Sequence, residues 1–210
     1  MGLFSKFVNQ TRKPEGFLGK MMVNGMNGGH AKMADWGMTF LPRISPREIA
    51  DLGCGGGRNA GALLTRYPDS KVTAVDYSEV SVQKAKAYNK SAINAGRMFV
   101  TQGDVSNLKL PAERYDLATA FETIYFWPGR EKCFSEVHKV LKPGGLFLIV
   151  NESDGTDETS LKYEQIIDGM KCYTPDVIKA ALEAAGFSGI HIEHHGSRPW
   201  IAVYGIKGER

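Results

Sequence analysis

From Glu48 onward, short apolar runs alternate with segments whose apolar residues recur every three or four positions, a pattern that predicts strands and helices in turn. Glu48-Ile49-Ala50-Asp51-Leu52 reads as a first strand. A glycine run follows, and Ala60, Leu63, Leu64 and Tyr67 then mark one face of a helix that Pro68 stops. Val72 to Val75, ending at Asp76, is a second strand, and Ser78 is placed to cap a helix running towards Lys90, with apolar positions at Val82, Ala85 and Tyr88. Met98-Phe99-Val100 is a third strand, and Asp104 to Pro111 a loop or a very short turn of helix. Tyr115 to Phe121 is the fourth strand. A helix from about Arg130 puts Cys133, Phe134, Val137, Val140 and Leu141 on one face, and Pro143-Gly144-Gly145 is expected to end it. Leu146 to Val150 is wholly apolar, as in a strand buried on both faces. Thr174 and Pro175 open a last helix that Gly186 closes. Ile190 to His194 and Ile201 to Gly205 flank a link too short for a parallel crossover, so they form an antiparallel hairpin.

Alternation at these lengths predicts an α/β fold: a Rossmann-like, doubly wound seven-stranded sheet, mostly parallel, with an antiparallel strand from the C-terminal hairpin. Residues 1–45 fall outside the alternation and are rich in Gly and Met. A short helix ending near Trp36 and Gly37 fits there, and the segment is expected to be a helical cover over the site of the domain formed by residues 46–210.

Composition changes this picture little. In 210 residues, 42% are apolar, enough for one sizeable core. The formal charge of +3 is too mild to point to a nucleic-acid partner. Three scattered cysteines, Cys54, Cys133 and Cys172, suggest a reducing compartment, and no His/Cys spacing suggests a metal. No apolar run has signal-peptide or membrane-span length, so a cytoplasmic location is expected.

The chemistry concentrates in Asp51-Leu52-Gly53-Cys54-Gly55-Gly56-Gly57-Arg58-Asn59, between a strand and a helix, where an open α/β sheet places its ligand crevice. Glycines there let the backbone turn sharply and approach a ligand closely, and helix amides face it. Asp76, at the tip of the next strand, is placed to accept hydrogen bonds from both hydroxyls of a ribose. Tyr77 either lies along an adenine face or packs on a helix. No G-K-[ST] follows the loop, and its register is not that of the dinucleotide motif. Asp51 would repel a pyrophosphate and suits an ammonium group, unless it only caps loop amides.

Taken together, Asp51-x-Gly53-x-Gly55-x-Gly57, Val72-x-Ala74-Val75-Asp76-Tyr77-Ser78, Gly103-Asp104 and His138-Lys139-Val140-Leu141-Lys142-Pro143-Gly144-Gly145 resemble the class I S-adenosylmethionine-dependent methyltransferases, over roughly residues 45 to 205. The group within that class with an unadorned core and small-molecule acceptors is the best match. The resemblance implies S-adenosyl-L-methionine as cofactor. The glycine loop would cradle its methionine part, Asp76 would hold the ribose and Asp104 would receive the adenine amino group, so that the expected cofactor-binding residues are Asp51, Gly53, Cys54, Gly55, Gly57, Asn59, Asp76, Tyr77, Asp104, Val105 and Glu122. It implies no metal. The segment after the fourth strand is Ala120-Phe121-Glu122-Thr123 and not [N/D]-P-P-[Y/F], which disfavours methylation of exocyclic or amide nitrogen.

Glu122, Tyr125, Phe126 and Trp127 follow the fourth strand, on the edge where the acceptor is expected. Glu122 is placed either to orient the cofactor's ammonium or to deprotonate an acceptor. Tyr125 and Trp127 would wall the acceptor or, for the rings at 126 and 127, simply pack under the next helix. His30, in Asn27-Gly28-Gly29-His30, is a candidate general base, and Trp36 a candidate substrate wall. The expected activity is in-line methyl transfer to a small molecule, by a monomer or homodimer. A non-enzymatic module that binds the cofactor, and a nicotinamide-dependent oxidoreductase, are the alternatives. The chain lacks the Tyr-x-x-x-Lys pair that would favour the latter.

Overall fold

A computed structural model describes residues 30–208 of the chain. The expectation for residues 1–29, most of the N-terminal cover, lies outside the described residues.

The described chain opens with helix α1 (Ala31–Met38). The alternation then runs β1 (Glu48–Leu52), α2 (Arg58–Arg66), β2 (Lys71–Asp76), α3 (Glu79–Tyr88), α4 (Lys90–Asn94) and β3 (Met98–Gln102). After a 3-10 turn at Val105–Asn107 come β4 (Tyr115–Phe121), a second 3-10 turn at Ile124–Phe126, α5 (Arg130–Val140) and β5 (Leu141–Asn151). Helices α6 (Glu158–Ile166) and α7 (Pro175–Ala184) precede the hairpin of β6 (Phe187–His194) and β7 (Ile201–Lys207). The strands form one seven-stranded sheet in the order β3-β2-β1-β4-β5-β7-β6, parallel except for β7, which runs against both neighbours. Strand order reverses beside β1, so the C-terminal ends of β1 and β4 open the crevice of a doubly wound sheet.

Two apolar layers cover the faces. One gathers Phe134, Val137, Val140, Phe147, Ile178 and Leu182 around α5 and α7. The other gathers Ala60, Leu63, Val82 and Ala85 from α2 and α3, and also Met33, Ala34 and Met38 from α1. Helix α1 is therefore part of the core: Met33 and Ala34 are fully buried, and a Cβ at Gly37 would lie 2.4 Å from Val150 of β5. The cap expected at Ser78 forms, its hydroxyl accepting from the Ser81 amide.

Two local expectations are corrected. Pro143-Gly144-Gly145 does not end α5, which stops at Val140. Those residues bulge within β5, which pairs with β4 first at Tyr115–Leu141 and again from Leu117–Leu146. Tyr88, at an apolar position of the predicted helix, is 60% exposed, because α3 ends there and turns into α4 through Asn89. The side-chain amide of Asn89 instead donates to the Gly57 carbonyl, tying that turn to the glycine loop.

Candidate active site

The glycine loop leaves β1 and is fastened to β2. Amides of Gly53 and Cys54 both donate to the Val75 carbonyl, and Gly53, Gly55 and Gly57 all have left-handed φ angles. A Cβ at Gly53 would sit 2.0 Å from Thr123 Oγ1, whereas one at Gly55 would meet no protein atom and would project into open space. That difference separates a glycine required by the protein from one that keeps room for a ligand. Gly57 is of the first kind: it starts α2 in the left-handed conformation, 2.8 Å (at its virtual Cβ) from Ala85, and does not line the cavity.

Asp76 joins strand tip to loop. Its carboxylate accepts from the Gly55 amide at 2.8 Å and from the Ser78 amide at 2.8 Å. Burial pushes its carboxyl above the ordinary value, and those two amides oppose the shift. Asp51 lies one layer deeper. It is 1% exposed, takes a hydrogen bond from Thr119 Oγ1 at 2.8 Å, and its second oxygen has no partner. Burial raises its carboxyl to about 7. Asp51 thus stands under the loop and not on the cavity wall, because β1 pairs on both sides at this position and points the side chain at Thr119. Burial likewise raises the thiol of Cys54, which lines the cavity as a neutral group.

The cavity encloses about 1140 Å³ at the C-terminal edge of the sheet. Ligand pockets commonly span ~300–1,000 Å³, so a nucleoside-sized cofactor leaves room for a second molecule. One end is walled by Gly53, Cys54, Gly55, Asn59, Asp76, Tyr77, Asp104 and Val105. Asp104 caps the 3-10 turn by accepting from the Ser106 amide, which keeps its carboxylate at the rim.

The other end is built on Glu122. Its φ of 56° is one of only two positive values at non-glycine residues among the described residues, and such strain concentrates at functional sites. The turn is held by its amide, which donates to the Val150 carbonyl, and its Oε1 accepts from Tyr125 Oη at 2.9 Å and from the Glu152 amide. Burial pushes the Glu122 carboxyl up to about 8; the Glu152 amide pulls the other way and the Glu152 carboxylate adds to the rise. Tyr125 Oη also accepts from the Ser153 amide, so it positions Glu122 and has no lone proton to trade; burial raises its pKa well above the phenol range. His30 Nε2 lies 3.7 Å from Glu152 Oε2, and burial lowers its pKa, with Glu152 opposing. Ligand atoms of His30, Glu122 and Glu152 lie within 4.8 Å of one another.

The two predicted tryptophans part company. Trp127 reaches the cavity with one edge, but its ring stacks on Phe147 at 6.2 Å and its Nε1 donates to Thr123. Trp36 does not reach the cavity. It packs behind, against Phe40, His195 and Trp200, because α1 turns that face towards the hairpin. Trp200 takes the place on the wall, with the Arg198 guanidinium 4.7 Å above its ring. The hairpin link had been read only as a connection, so both residues were missed. Glu152, Asp157 and Tyr163 also line the cavity, from a stretch, residues 151–173, whose sequence has neither period nor motif to single them out.

This sheet order, with its antiparallel seventh strand, is shared with solved methyltransferase structures. The methyltransferase-domain family model matches residues 50–149, just under half of the chain, and S-adenosyl-L-methionine is the cofactor that this match indicates. The chain is similar to the sterol 24-C-methyltransferase of Candida albicans, 29% identical over 67% of this chain and 39% of that one. It is also similar to the malonyl-[acyl-carrier protein] O-methyltransferase of Geobacter sulfurreducens, 27% identical over 74% and 61%. Among solved structures, a methyltransferase in complex with a methyltransferase activator from Haloferax volcanii superposes with a TM-score of 0.82 at 17% identity, covering 100% of this chain and 99% of that one. The chain spans about two fifths to three fifths of the length of the curated relatives named here. Among the described residues, no helix is long and apolar enough to cross a membrane.

The residues present fit the cofactor. The space beside Gly55 is one a Cβ would fill, and Asp76 faces it with acceptor capacity beyond its two amides.

Proposed function

We propose that the chain is a cytoplasmic enzyme, monomer or homodimer, that transfers the methyl group of S-adenosylmethionine to a small-molecule acceptor and needs no nucleic-acid partner. The observation that carries this reading is the two-ended cavity, in which the cofactor-binding loop and the Glu122 turn share one enclosed volume. When bound, the cofactor supplies a methyl group already activated by its sulfonium. The chain's own residues then have to hold, align and dry the reactants. Gly53, Gly55 and Asn59 approach the methionine end, Asp76 takes the ribose hydroxyls, and Asp104 with Val105 meets the adenine. Glu122, positioned by Tyr125, faces the acceptor end opposite His30. Trp127 and Trp200 exclude water there.

The test is calorimetry with S-adenosylhomocysteine and NADH, followed by incubation with methyl-labelled S-adenosylmethionine and a metabolite extract. Binding of S-adenosylhomocysteine alone and a labelled small product are expected. Binding of NADH alone, or label only in RNA or protein, would overturn the assignment. Cofactor binding without any product would favour a non-enzymatic module.

A further inference from the structure

Five carboxylates line the cavity, those of Asp76, Asp104, Glu122, Glu152 and Asp157, against two arginines and no lysine. Both arginines are engaged: Arg58 makes a two-pronged pair with Asp35, and Arg198 lies over Trp200. Asp76 and Asp104 belong to the cofactor end. At the acceptor end Glu122, Glu152 and Asp157 remain, and Asp157 is fixed there by the Ser153 hydroxyl and the Ser160 amide. The Glu152 carboxylate has one ion-pair partner among the described residues, His30 Nε2 at 3.7 Å. Phe126 and Tyr163 line the same wall, as does Trp200 beneath the Arg198 guanidinium.

Resting on the methyltransferase reading, we propose that the acceptor is a small amine, bound as an ammonium ion against the Glu152 carboxylate, with the neutral Glu122 carboxyl accepting one of its N–H groups and His30 taking its proton. An excess of negative charge in a partly dry, aromatic-walled space selects a cation, and aromatic rings favour an alkylammonium over a hydrated metal ion, which prefers oxygen ligands and water. Methylation needs the nitrogen lone pair. One N–H bond of the ammonium breaks and its proton passes to the imidazole of His30, which burial holds neutral and which Glu152 stabilises once charged. The freed lone pair forms the N–C bond as the methyl–sulfur bond breaks with its electron pair left on sulfur. The products are an N-methylated ammonium ion and a neutral thioether. The acceptor is an aliphatic amine, so the absence of the [N/D]-P-P-[Y/F] segment, which serves exocyclic and amide nitrogen, does not count against it.

The experiment incubates the protein with methyl-labelled S-adenosylmethionine and an extract separated on ion exchangers at pH 7 into cationic, neutral and anionic small molecules. Label is expected in the cationic pool, in products that remain amines. Label confined to neutral or anionic products overturns the amine proposal and leaves the methyltransferase reading intact. No label in any pool, with S-adenosylhomocysteine binding by calorimetry, overturns both. With the labelled amine in hand, Glu152→Gln is expected to raise its KM about 10- to 100-fold with little change in kcat. His30→Ala is expected to lower kcat about 100-fold or more with KM nearly unchanged, and neither should alter S-adenosylhomocysteine affinity. A second arm adds EDTA, then Mn²⁺. If EDTA abolishes turnover, Mn²⁺ restores it and His30→Ala weakens Mn²⁺ binding, the cluster is a metal site and the amine proposal falls.

Discussion

At the scale of single residues, two glycines two positions apart make different claims on the site. Gly55→Ala places a methyl group in the cavity at a left-handed φ of 52°, with no protein atom to strike. It is expected to cost about 1 kcal/mol of stability and to weaken S-adenosylhomocysteine binding more than tenfold. Gly53→Ala drives its Cβ into Thr123, the residue that follows Glu122 and receives the Trp127 indole. That change is expected to cost about 3 kcal/mol and to disturb both ends of the cavity. Urea unfolding beside calorimetry separates the two, and equal losses of stability would refute the distinction. Asp76→Ala is expected to weaken cofactor binding by about 2–4 kcal/mol, since it removes the proposed ribose acceptors and frees the Gly55 amide from its anchor. Wild-type affinity in a folded variant would exclude Asp76 from the ribose site.

Elements were legible from periodicity where the chain is regular. The fourth strand runs from Tyr115 to Phe121 as read, and α7 starts at the Thr174–Pro175 cap because a proline at the first turn and a hydroxyl before it leave few other registers. Irregular connections carried no such signal. Glu152 and Asp157 meet Glu122 only because β4 and β5 are neighbours whose C-terminal ends share an edge, a relation that the fold supplies and no local pattern does. The same limit misplaced Trp36. An aromatic on a Gly-rich, Met-rich segment looks like part of a movable cover, yet α1 is docked on β5 by Met33, Ala34 and Gly37. Met33→Ala is accordingly expected to cost about 2–4 kcal/mol in urea unfolding, the price of a core cavity. A loss below about 0.5 kcal/mol would show that α1 is detachable after all.

For the molecule as a whole, the site's buried carboxyls couple stability to pH. Asp51 is raised to about 7 and Glu122 to about 8, against unfolded values near ~3.9 and ~4.3. The native state therefore keeps two protons that the unfolded chain has released, and stability held at low pH is lost as pH climbs through the folded values. His30 and His138 act in the opposite direction, because burial lowers them and the unfolded chain binds their protons more readily. That opposing gain is largely complete by about pH 6.5, the ordinary histidine value. Carboxylates with lowered values, such as Asp116 and Glu164, lose their contribution only in acid. The window from pH 6.5 to 8 thus isolates the two buried acids, and across it the ligand-free protein is expected to lose about 2 kcal/mol. Asp51→Asn combined with Glu122→Gln should flatten the curve, since the amides keep the same shape without the proton. The measurement is the urea midpoint at several pH values for both proteins. A wild-type midpoint that is level or rises over this window would mean that Asp51 and Glu122 are ionised in the free protein, with their negative charge already balanced inside the fold.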